Sequence, residues 1–166
     1  MTEIALDGHP CTTNGDLPGV GDMAPDFSLV DTNLNDVSLS DFSGRKKLLS
    51  IVPSLYTGVC ATTTKKFNGL AAKNPDALIL IVSADLPFAQ ARFCGVENTD
   101  SVKTLSMMRS RKFAKDYGVL IQDGPFAGIA ARAVLVLDQN NKVIYSELVP
   151  DIGQEPDYDA AMAALD

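Results

Sequence analysis

The sequence predicts an α/β domain in which a central mixed β-sheet is flanked by helices and an N-terminal β-hairpin extends the chain over residues 1–20. Three observations carry this. Leu48 to Val52 and Ala77 to Val82 are almost uninterrupted apolar runs, the pattern of parallel strands covered on both faces. The helix-competent stretch Ala61 to Lys73 lies between them, so strand, helix and strand form one right-handed crossover. Ala131 to Asp138 and Lys142 to Val149 flank Gln139-Asn140-Asn141, an antiparallel hairpin that makes the sheet mixed. With 166 residues, 46% of them apolar, the chain suits one domain spanning 1–166 with a sizeable core.

The elements follow in order. Ile4-Ala5-Leu6 and a segment near Cys11 flank the turn signal Asp7-Gly8. Gly19 to Ala24 fits the spacing G-x-G-x-x-A, but Pro18 and Pro25 bracket it. The strand-then-helix context of a dinucleotide site is missing, so the match is chance. Val37 to Phe42 alternates, and a corner at Gly44-Arg45-Lys46-Lys47 leads into the strand that Pro53 ends by removing a ladder donor. Asn74-Pro75-Asp76 breaks the helix after Cys60. Pro87 suits a first helical position, and Cys94 falls near the end of that helix. Lys103 to Ser106 is a short strand. Arg111 to Tyr117 reads as a helix capped by Gly118, and a last amphipathic helix begins at Pro156-Asp157-Tyr158.

Composition narrows the partners. Net charge is −7, with no basic cluster, which makes nucleic acid and anionic membrane surfaces poor partners. Met1 to Asp7 is too short and too acidic for a secretory signal. No run approaches a membrane span, so a cytoplasmic location is expected. Three cysteines, Cys11, Cys60 and Cys94, are too few for a secreted disulfide framework, and no C-x-x-C occurs. His9 with Cys11 lacks a third or fourth ligand, so no metal site is expected.

Cys60 stands out chemically. It arrives just before a helix, where unpaired N–H groups and the dipole favour an anion, and the thiolate is the nucleophilic form. A helix terminus contributes about 0.3–1 kcal/mol, whereas one pKa unit corresponds to about 1.36 kcal/mol. The helix alone is too weak to ionise a thiol fully. Something cationic should complete the site.

Pro53-Ser54-Leu55-Tyr56-Thr57-Gly58-Val59-Cys60 matches the P-x-x-x-T-x-x-C motif of peroxiredoxins. Ser83 to Gln90, leading into Arg92-Phe93-Cys94, resembles the resolving-cysteine segment of the thiol peroxidase branch, and Ala130-Ala131-Arg132-Ala133 matches that branch too. The resemblance covers nearly the whole chain. It implies a thioredoxin-like fold and an atypical 2-Cys mechanism reducing hydrogen peroxide and alkyl hydroperoxides. Cys60 would be the peroxidatic nucleophile, Thr57 a hydroxyl beside it, Pro53 a shield, Arg132 the cation, and Cys94 the resolving cysteine, with thioredoxin as reductant. The resemblance also implies a homodimer; no cofactor is expected. Tyr56 departs from the pattern, because many thiol peroxidases carry an acidic residue there. Taken without the resemblance, Arg132 reads as any surface arginine. A redox sensor on the same fold is the competing function, but a pure sensor would not require Pro53, Thr57, Cys60 and Arg132 together.

Overall fold

The computed structural model describes all residues, 1–166. Nine strands run in chain order as β1 (Glu3–Leu6), β2 (His9–Thr12), β3 (Ser28–Val30), β4 (Asp36–Ser38), β5 (Lys47–Ile51), β6 (Leu78–Ser83), β7 (Lys103–Ser106), β8 (Ala133–Leu137) and β9 (Val143–Leu148). The helices are α1 (Gly58–Lys73), α2 (Pro87–Glu97), α3 (Lys112–Asp116) and α4 (Tyr158–Leu165).

β1 and β2 form a separate hairpin, and the other seven strands make one sheet in the order β4-β3-β7-β6-β5-β8-β9. The apolar runs form its parallel centre, with β5 beside β6 and β6 beside β7. β8 pairs antiparallel with β5 on the other side, and β9 with β8. The expected mixed sheet with an N-terminal hairpin is therefore present.

Alternation along the central strands divides the interior in two. Leu48, Val52, Ile79, Ile81, Val134 and Val136 face a core shared with Cys60 and Phe67 of α1, Phe93 of α2 and Ala161 of α4. Leu49, Ile51, Leu80, Val82, Ala133 and Leu135 face the opposite core, which holds Phe113 of α3 together with Ile4 and Cys11 of the hairpin.

Three local readings are revised. The helix carrying Cys60 begins at Gly58, with Thr57 as its N-cap, so Cys60 lies inside the first turn. Thr57 makes no side-chain cap bond, so no capping motif marks the true start. The alternation over Val37–Phe42 splits into β4 and a 3-10 turn at Leu39–Phe42. There the Asp41 carboxylate accepts the Ser38 N–H at 2.9 Å and curls the chain. Lys47 is not part of the corner before β5. It is the buried first residue of β5, its amine donates to the Asn141 side chain, and burial pulls its pKa down.

Candidate active site

Cys60 and Arg132 meet because of strand register. β8 runs antiparallel to β5 with Ile51 opposite Ala133, so the residue before β8 lies beside the end of β5, where the chain turns into α1. Arg132 also shares parity with Val134 and Val136, which face the core containing Cys60. Its guanidinium donates from Nη2 to the Cys60 Sγ at 3.1 Å.

Both side chains are buried, Cys60 at 0% and Arg132 at 1% exposure. A buried cation must be held by acceptors, and the Ile152 carbonyl does this, accepting from Nε at 3.0 Å and from Nη2 at 2.9 Å. The Nη1 group has no partner in the protein.

The Ile152 carbonyl is itself fixed by the N-terminal hairpin. The Ala5 N–H donates to the Pro150 carbonyl at 2.9 Å, and the Ile152 N–H donates to the Ala5 carbonyl at 2.8 Å. The Asp151 carboxylate accepts the backbone N–H groups of Asp7, Gly8 and Gly153 at 3.0, 2.9 and 2.8 Å. These bonds, led by those from Gly153 and Gly8, hold the Asp151 pKa below the usual carboxylate range. At Gly153 an added Cβ would lie 2.5 Å from Asp7 Oδ1, so any larger residue would make the Asp7 side chain move.

A pocket of about 170 Å³ opens onto this arrangement, lined by Thr57, Gly58, Val59 and Arg132 on one side and by Leu6, Asp7, Phe126, Ile152 and Gly153 on the other. Thr57 lines it with its hydroxyl donating to the Ser54 carbonyl at 3.3 Å rather than to sulfur. Pro53 is buried just beyond β5. One turn along α1, the Tyr158 hydroxyl lies 3.2 Å from Thr63 Oγ1 and donates to Glu155 at 2.8 Å. Burial, foremost, pushes the Tyr158 pKa up to about 12.

Cys94 is not at this pocket. It sits half-buried on α2 and opens into a different cavity with Asp31, Thr99 and Lys103. All three cysteines are free thiols. Cys11 is buried on β2, where desolvation and the nearby carboxylates of Asp123 and Asp151 push its thiol pKa up. The alternative cations make no bond to the sulfur: Arg109 pairs with Asp36 at 2.6 Å, Arg111 donates to the carbonyls of Met107 and Gly128, and Arg92 is exposed on α2. Sequence reasoning missed Ile152, Asp151, Leu6 and Asp7. The Asp7-Gly8 turn was visible, but no local pattern tied it to residues more than 140 positions away.

A buried thiol at a helix start, touched by a fixed arginine at the mouth of a small pocket, defines a cysteine-based redox protein on a thioredoxin-like sheet. Comparisons with known proteins agree. The Redoxin family model matches residues 19–162. A thiol peroxidase of Corynebacterium glutamicum is 47% identical over 165 residues, 99% of either chain. Among solved structures, a peroxiredoxin-like protein from Aquifex aeolicus superposes with a TM-score of 0.93 at 40% identity, over 99% of this chain and 96% of that one. A thiol peroxidase from Chromobacterium violaceum does so with a TM-score of 0.91 at 28% identity, over 98% and 94%. The chain belongs to the redoxin family, in the thiol peroxidase branch of the peroxiredoxins.

Proposed function

We propose that the chain is a thiol-dependent peroxidase that reduces hydrogen peroxide and organic hydroperoxides to water and alcohols. The observation that carries this reading is the 3.1 Å contact between Arg132 Nη2 and Cys60 Sγ beside an open pocket. The Cys60 thiolate attacks one peroxide oxygen and the O–O bond breaks heterolytically. The leaving oxygen takes a proton and departs as water or alcohol, and Cys60 becomes a sulfenic acid. Arg132 has donors for both partners: Nη2 is on the sulfur, and the unpartnered Nη1 is free to bind a peroxide oxygen. The Thr57 hydroxyl donates to Ser54, so its oxygen retains lone pairs to accept a peroxide O–H. Pro53 brings no backbone donor to the strand end behind the thiol.

The Cys60 sulfenic acid then condenses with the Cys94 thiol, releasing water and forming an intramolecular disulfide. Thioredoxin reduces that disulfide in the cytoplasm. The remoteness of Cys11, on the opposite core, supports Cys94 as the resolving partner. Homodimer formation is supported by the exposed apolar residues Tyr56, Leu86, Phe88 and Val96 in and beside α2. No helix is long and apolar enough to cross a membrane.

The test is peroxide-dependent NADPH consumption coupled through thioredoxin and its reductase, run with hydrogen peroxide, cumene hydroperoxide and a fatty-acid hydroperoxide. Turnover is expected with at least one of the three. Failure with all of them, or equal activity in Cys60→Ser, overturns the reading.

A further inference from the structure

Asp85 takes no part in the peroxide pocket, yet it joins the two elements that carry Cys60 and Cys94. It lies between β6 and Leu86, the N-cap of α2. Its Oδ1 accepts the Ser54 hydroxyl at 2.6 Å, and its Oδ2 accepts the Leu55 N–H at 2.7 Å and the Ser83 hydroxyl at 2.8 Å. Ser83 Oγ in turn accepts from Nε2 of Gln90, a fully buried residue of α2, at 3.0 Å. The next loop residue, Tyr56, donates its hydroxyl to the Ala89 carbonyl at 3.0 Å and sets its ring edge-on to Phe93 at 5.8 Å. Three consecutive residues between Pro53 and Thr57 are thus anchored on the segment that leads to Cys94.

A disulfide needs Cα atoms within about 7 Å, whereas each sulfur here sits on its own helix and opens differently. Joining them moves the first turn of α1 and part of α2, and the Ser54–Tyr56 loop that leads into α1 is tied to the head of α2. A carboxylate that accepts three hydrogen bonds from one loop and one strand end is strong, charge-assisted glue.

We propose that Asp85 is a positioning residue for the second step: it latches the Ser54–Tyr56 loop to the head of α2 and so sets how fast the Cys60 sulfenic acid meets Cys94. This rests on the reading of Cys60 as peroxidatic and Cys94 as resolving. Two fates compete for the sulfenic acid. Attack by the Cys94 thiol forms the S–S bond and releases water. Attack on a second peroxide transfers one more oxygen, giving sulfinic acid and water or alcohol. A tight latch holds Cys60 ready for peroxide and prolongs the life of the sulfenic acid; a loose one favours the disulfide.

The experiment measures two rates on the full chain after mixing with hydrogen peroxide: loss of the Cys60 thiol and appearance of the disulfide, with the sulfinic fraction read by mass spectrometry. In Asp85→Asn the side chain is neutral and retains a single acceptor oxygen, so all three donors lose a charged partner and those facing the new NH2 group lose their acceptor. Disulfide formation is expected to accelerate, on the order of tenfold, the factor that about 1.4 kcal/mol represents, and the sulfinic fraction is expected to fall. Tyr56→Phe removes only the bond to Ala89, preserves the ring packing and should shift the same ratio less. It keeps the test decisive if Asp85→Asn folds poorly. Slower disulfide formation in either variant, or an unchanged ratio of the two rates in both, overturns the latch. No loss of the Cys60 thiol in the unmodified chain would instead overturn the peroxidase reading.

Discussion

Arg132 Nη2 stands 3.1 Å from Cys60 Sγ although 72 positions separate the two residues, and the same guanidinium gives two other bonds to a single carbonyl, that of Ile152. Three of its five N–H groups are therefore engaged, and the two on Nη1 are left for substrate. Arg132→Lys would preserve a positive charge but not the planar fork, and Arg132→Met would remove both. The peroxide rate constant should fall in the order Arg, Lys, Met. The Met variant should lose on the order of 10²–10³, the effect of deleting one preorganised donor. Rapid-mixing kinetics of Cys60 oxidation, with the ultraviolet thiolate absorbance followed alongside, will show it. An unchanged rate in Arg132→Met would return the role to another cation, with Arg92, Arg109 and Arg111 next to be examined.

Cys60→Ser should reduce turnover to background. A serine hydroxyl is not ionised near neutral pH and cannot form the sulfenic acid. Substituting a buried residue for one of similar shape should leave the sheet intact, so circular dichroism should match the unmodified chain. Substantial peroxide reduction by a folded Cys60→Ser protein would remove Cys60 from the mechanism.

Cys94→Ser should still react once with peroxide, consuming about one equivalent in forming the sulfenic acid. Thioredoxin-coupled turnover should be lost, and excess peroxide should drive Cys60 to sulfinic acid. Cys11→Ser should change neither result, because Cys11 is packed in the opposite core with its thiol pKa raised by burial. Intramolecular disulfide formation that survives Cys94→Ser and vanishes in Cys11→Ser would reverse the assignment.

Asp151 offers a pH prediction. Its pKa is depressed by the N–H groups of Gly153, Gly8 and Asp7. A depressed carboxylate pKa adds stability above the unfolded-state value, and that stability is lost as pH falls through the folded value. The difference in urea midpoint between the unmodified chain and Asp151→Asn should therefore stay constant from neutral to mildly acid pH. It should shrink only as pH drops through and below the ordinary carboxylate range. Asp151→Asn should also slow Cys60 oxidation, since the anchored segment carries the Ile152 carbonyl that holds Arg132. A difference that closes already near pH 6 would mean that another group titrates.

Much of the architecture could be read from local chemistry. The parallel centre followed from the apolar runs at β5 and β6, and the start of α2 from Pro87. Cys60 was visible from its place after a strand end and before a helix. Arg132 was not, except by family resemblance, because its contact depends on Ile51 lying opposite Ala133 across two strands. The start of α1 was placed late because Thr57 caps it only through backbone geometry. The Ile152 carbonyl and the Asp151 carboxylate act through backbone groups far apart in sequence, which no local pattern of side-chain polarity records.

The anchoring of Ile152 by Ala5, Asp7 and Gly8 also has a temporal side. During synthesis the hairpin and Cys60 emerge long before residues 132–153, and domains complete their cores only when the needed segments are available. A growing chain thus presents Cys60 without a held arginine beside it. The thiol acquires its chemistry only when the last part of the chain closes against the first, so reactivity toward peroxide arrives together with completion of the fold.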